Sequence, residues 1–122
     1  MGKSYIDKIY EKLRMAYAKI LIAENIKRRR DSMKTLYMLA MTKSIFTAPD
    51  FLAGVYVSST LSDIKKVKKM IEKALKGKKL SPEIRFMLEQ INSMLETTKK
   101  TGIYDLKMKI AEALKILESG IS

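Results

Sequence analysis

Two clusters of basic residues are the part of this sequence best suited to chemistry. Lys27-Arg28-Arg29-Arg30 is an uninterrupted cationic run, with Lys34 one helical turn further on. Lys65, Lys66, Lys69, Lys73 and Lys76 recur mostly at three- and four-residue spacing, with Lys68 among them, and Lys78 and Lys79 follow. A planar guanidinium matches a phosphate bidentately and stacks on bases, whereas lysine presents a point charge. Side chains of this kind bind polyanions by neutralising phosphates and releasing counterions. One or two cations at a helix C-terminus would satisfy its dipole. Four in succession exceed that need.

The charge is regional. The chain of 122 residues carries 25 lysines and arginines against 13 acids, a net +12. Residues 1–80 hold 19 of the cations and 7 of the acids, and residues 81–122 hold six of each. A heat-adapted surface usually mixes both signs in ion-pair networks, and the neutral C-terminal part shows that this chain can do the same. The contrast favours a polyanionic partner, DNA or RNA, over a merely solubilising basic face.

Most catalytic chemistry has no residues to work with. There is no histidine and no cysteine, which removes the commonest general base at neutral pH, the commonest metal ligand and the thiolate nucleophile. Glu24, Asp31, Asp50 and Asp63 do not fall at a paired-carboxylate or metal spacing, and no Gly-rich phosphate loop or nucleophile elbow is present. No enzyme, metal or cofactor is expected. Tyr10, Tyr17 and Tyr37 lie near basic residues and would suit base stacking, but they border the apolar stripe and are read as core.

Periodicity supplies the elements that position these groups. Ile6, Ile9, Leu13, Ala16, Ile20 and Ala23 fall at heptad a and d positions, which predicts a long amphipathic helix over 4–30. A second helical segment is expected over 31–46, capped by Asp31 or Ser32; no residue forces a break before it, so one continuous helix is the alternative to the bend or turn near Arg30 that helix-length grounds favour. Thr47-Ala48-Pro49-Asp50 reads as punctuation, and Phe51–Val57 as a short helix or an extended plug. Ser58 to Thr60 offer caps for a helix over 61–76 that carries Ile64, Val67, Ile71, Ala74 and Leu75 and stops at Gly77. On a wheel of ~100° per residue its lysines 65, 66, 69, 73 and 76 lie opposite those apolar positions. Ser81-Pro82-Glu83 opens the next helix, expected to run to Gly102, and the last spans 104–119.

The expected fold is therefore all-α: a single domain of four to five amphipathic helices in a compact bundle or array, with a basic part over 1–80 and a neutral helical hairpin over 81–122. The nine methionines suit gap-filling in such a core. Only three side-chain amides occur, Asn25, Gln90 and Asn92, and charge is abundant, a combination typical of thermophiles. The first residues form no uninterrupted apolar core and no run approaches the ~20 residues of a membrane span. A cytoplasmic or nucleoprotein-associated protein without membrane contact is expected.

The functional expectation is sequence-nonspecific binding of nucleic acid, in the manner of a nucleoprotein or ribonucleoprotein subunit. The alternative is a helical assembly or adaptor subunit, joined to copies of itself or to a larger helical assembly through the Ile6–Ala23 seam or Phe46–Val57.

Overall fold

The computed structural model describes residues 5–40, 44–77, 80–98 and 100–121, with side chains described for 5–29, 51–77, 80–98 and 100–120. These residues form four helices and no strand: α1 (Tyr5–Ala40), α2 (Ser44–Gly77), α3 (Pro82–Met94) and α4 (Ile103–Ile121).

Cross-helix contacts fix the topology. Tyr5 meets the backbone of Ala74, Lys19 pairs with Asp63, and Lys27 and Ala53 line one recess. Residue numbers fall along α2 as they rise along α1, so the two helices run antiparallel in a constant register. Arg85 donates to the Leu75 carbonyl at 3.2 Å and Lys68 to the Asn92 carbonyl at 3.3 Å, which sets α3 antiparallel to α2. Tyr10 donates to Glu118 at 2.6 Å and Lys107 to Glu24 at 2.7 Å, which sets α4 antiparallel to α1. The result is an up-down-up-down bundle in which α4 closes the ring against α1.

The heptad seam becomes the core. Ile9, Leu13, Ala16, Ile20 and Ala23 are fully buried, together with Val67, Ile71 and Ala74 of α2, Leu88 and Ile91 of α3, and Leu106, Ile110 and Leu117 of α4. The Ile6–Ala23 seam is thus covered within the chain. Leu114 and Met87 close its edge, and Gly120 allows the last turn of α4 to lie close against the Met87 sulfur.

Four local expectations are corrected. First, α1 has no break or cap near Arg30; it is the continuous alternative and runs to Ala40. A long partner alongside removes the reason to turn, because α2 supplies tertiary support along the hairpin. Second, Thr47-Ala48-Pro49-Asp50 is not a break. Pro49 is helical in the second turn of α2. Some of the amides near a helix start have no intrahelical partner, so a proline this early gives up one backbone bond at most. Third, Ser58 to Thr60 cap nothing. The Thr60 hydroxyl donates to the Tyr56 carbonyl at 2.8 Å inside an unbroken helix. Fourth, α3 ends at Met94, well before Gly102, where the Leu95 amide bonds back to the Ile91 carbonyl. Gly102 instead starts α4, its carbonyl accepting from the Leu106 amide at 2.9 Å.

Ser81 and Pro82 act as the sequence indicates: the Ser81 hydroxyl oxygen accepts from the Ile84 amide at 3.3 Å and Pro82 occupies the first turn. Helix lengths then matter for function. At ~1.5 Å per residue, α1 and α2 are each about 50 Å long, whereas α4 is about 28 Å. The α3–α4 loop meets the long hairpin at Lys27 and Ala53, so both long helices run on beyond the four-helix part.

Candidate nucleic-acid interface

The buried stripe of α2 dictates where its lysines go. Thr60, Asp63, Ile64, Val67, Ile71 and Ala74 face the other helices. Lys65, Lys66, Lys69, Lys73 and Lys76 fall on the opposite side of the same helix, and all five are exposed. They span about 17 Å of helix axis. Glu72 is the one acid described on the solvent side of α2, and none of the five lysines has an ion pair among the described residues.

Lys68 differs from its neighbours. It sits at the edge of the buried stripe, and its side chain is only 18% exposed. Its ammonium group contacts both the Glu96 carboxylate and the Asn92 carbonyl. That hydrogen bond and the lysine charge hold the Glu96 carboxyl below the usual carboxylate range. Lys68 therefore belongs to the bundle's internal clamps.

The acids follow a pattern. Glu24 takes Lys107 at 2.7 Å and Arg28 at 3.4 Å, Asp63 takes Lys19 at 2.7 Å, Glu96 takes Lys68, and Glu118 accepts from Tyr10. Each of these four carboxylates, Glu96 from the α3–α4 loop and the others from helices, reaches a partner on a different helix. The charge excess is left on the outer face of α2 and along α1.

No protein-family model, curated protein or solved structure matches this chain.

The arginine cluster lies elsewhere on the hairpin. Lys27, Arg28 and Arg29 are exposed on α1. Lys27 continues the stripe of Ile20 and Ala23, and it can be polar because α4 begins at this level, with Gly102 and Ile103 lining the same recess. Arg28 is partly compensated by Glu24. Arg30 and Lys34 lie within helical α1, but their side chains are outside the described residues, and Lys78 and Lys79 are outside them altogether. By the register, Arg28 is level with Leu52, about 20 Å along α2 from Lys65. The two basic clusters are separate patches on one long hairpin.

The tyrosines belong to the bundle. Tyr10 and Tyr17 are half-buried against the core. The hydrogen bond to Glu118 raises the Tyr10 phenol above its ordinary pKa, and Arg14 lies 5.8 Å from its ring centroid. The Tyr37 side chain is outside the described residues.

The sequence places Phe51 in the candidate contact segment Phe46–Val57 but not on the helical face of the lysines. Because α2 runs unbroken through Pro49 and Gly54, Phe51 is helical and 76% exposed, with Leu52 and Val55 about half exposed and Ala53 buried. Among the described residues, no group of acidic side chains is placed to hold a metal ion, and no helix is long and apolar enough to cross a membrane.

Proposed function

We propose that this protein binds nucleic acid without sequence preference, through lysine–phosphate contacts along the outer face of α2. The observation that carries this reading is the set of five exposed lysines, Lys65, Lys66, Lys69, Lys73 and Lys76, with no ion pair among the described residues. Five like charges on one helix face repel one another, and a polyanion relieves that repulsion. Counterion release adds a driving force that no neutral partner supplies. Lysine on a regular helix positions a phosphate backbone but does not read base edges. The arginine run forms a second contact area on α1. Its guanidinium groups add bidentate geometry to charge.

The test is a fluorescence-anisotropy titration of the full chain on duplex DNA, single-stranded DNA and RNA at several salt concentrations. Binding that is insensitive to sequence and falls steeply with salt supports the proposal. No measurable binding to any of the three at low salt rejects it and favours the assembly-subunit reading, with the exposed Phe51, Leu52 and Val55 as its contact surface.

A further inference from the structure

The solvent-facing stripe of α2 is longer than its lysine segment. At ~100° per residue, Phe51, Val55, Ser58 and Ser62 fall in the same ~100° sector as Lys65, Lys66, Lys69, Lys73 and Lys76. All nine side chains are exposed. Phe51 is the most exposed of the large apolar residues described, and it stands about 21 Å along the axis from Lys65. By the α1–α2 register, Arg28 and Arg29 stand on the neighbouring helix at the level of Leu52 and Phe51, Arg28 on the side of α1 that faces α4.

From this arrangement we infer that the preferred partner is single-stranded nucleic acid, with its phosphates along the lysines and one base stacked on the Phe51 ring. The inference rests on the proposed function and names its substrate class. An exposed aromatic ring in line with cations on one helix face is the combination that single-strand grooves use: cations follow the backbone and a ring takes the face of a base. In a duplex both faces of an interior base are covered by its neighbours, so Phe51 would find no partner there. Small Ser58 and Ser62 keep the path between ring and lysines free of bulky side chains. A bilayer is the less suitable partner, because from Ser58 to Lys76 the stripe carries no apolar side chain, and only its far end would enter lipid.

Phe51 is exposed, so its replacement leaves the bundle intact, and unchanged far-UV dichroism and melting serve as the check. Phe51→Ala is expected to weaken binding of an oligothymidylate of about 20 nucleotides by roughly five- to a hundredfold. It should leave duplex affinity and the salt slope of both ligands unchanged, because no charge is removed. Phe51→Trp should retain single-strand affinity, and since the chain has no other tryptophan, its emission should be quenched by the oligonucleotide and not by the duplex.

Unchanged single-strand affinity in Phe51→Ala, with affinity still lost when Lys65, Lys69 and Lys73 are changed to glutamine, overturns the stacking inference and leaves the proposed function standing. Absence of binding by the unaltered chain overturns both. Loss of sedimentation with phosphatidylglycerol vesicles in Phe51→Ala, with oligonucleotide affinity unchanged, overturns the inference in favour of a membrane anchor.

Discussion

Lys19 Nζ lies 2.7 Å from Asp63 Oδ2, joining the middle of α1 to the middle of α2. The carboxylate is almost fully buried, with 7% of its side chain exposed, whereas the lysine side chain keeps 26%. This asymmetry predicts unequal mutational costs. Lys19→Met strands a buried charge. Its cost should be about 2 to 3 kcal/mol, below the ~3 to 5 of a fully buried pair because water reaches this one. Asp63→Asn leaves Lys19 free to turn its ammonium group to solvent and should cost about 1 kcal/mol. Urea denaturation of both variants measures the difference. The opposite order would mean that Asp63 is not held as described.

The rotation of α3 about its axis is tested by two neighbours. Leu88 is fully buried and Phe86 is 66% exposed. Leu88→Ala should cost about 2 to 5 kcal/mol, because its cavity is closed in by α2 and α4. Phe86→Ala should stay within about 0.5 kcal/mol, as exposed substitutions usually do. Leu114, 9% exposed at the edge of the core, should fall toward the lower end of the range for buried leucines. Comparable losses at positions 86 and 88 would contradict the placement of α3.

Much of this fold is legible in the sequence because the core obeys a single period. Ile9, Leu13, Ala16, Ile20 and Ala23 are predicted as a seam and are all fully buried. The α2 wheel also separates Lys68 from the five lysines opposite the core, and the structure gives the reason in Glu96 and Asn92. The region from Arg30 to Thr60 is less legible. Pro49 and Gly54 are strong local signals for a break, yet each costs a helix only a few kcal/mol or less. Docking along a long antiparallel partner outweighs them, and local signals carry no information about that partner. The same signals hide the place of Phe51: a boundary at Pro49 separates it from Ser58, Ser62 and Lys65, and their common helical stripe appears only because α2 is continuous. The level at which α4 begins decides that Lys27 is exposed while Ala23 is buried, and heptad counting alone would have continued the seam.

The Lys68–Glu96 clamp predicts a pH signature. Lys68 holds the Glu96 carboxyl below the usual carboxylate range, so the folded state releases this proton more readily than the unfolded chain. The clamp therefore stabilises fully above the usual carboxylate range and loses its effect as pH falls through the lowered folded value. Glu96 is itself exposed, so the effect is small. Glu96→Gln should lower the melting temperature slightly at neutral pH, and the gap to the unaltered protein should close in acid, where Glu96 is protonated. Thermal melts of the pair from neutral pH down to about pH 2 check this. A gap that does not narrow in acid would show that the charge contributes nothing.

The largest predicted effect concerns salt. If about five to eight cations each neutralise one phosphate, log affinity against log salt should have a slope of roughly −4 to −7. Changing Lys65, Lys69 and Lys73 to glutamine removes three unpaired charges and nothing from the core, since all three are exposed on the face opposite Val67 and Ile71. The slope should become shallower by about two to three units, and affinity should fall alike for all sequences. Changing Arg28, Arg29 and Arg30 should cost more affinity per residue, because a bidentate contact loses geometry as well as charge. The structure also selects the control. Lys107 is unsuitable, because it is bonded to Glu24 at 2.7 Å and its ammonium lies 5.5 Å from the Tyr104 ring, so reversing its charge would disturb the α1–α4 contact. Lys115 is exposed on α4 and has no ion pair among the described residues. Lys115→Glu should therefore leave both affinity and slope nearly unchanged. If Lys115→Glu weakens binding as much as the three α2 substitutions, the attraction comes from overall net charge, and the outer face of α2 loses its claim to be the site.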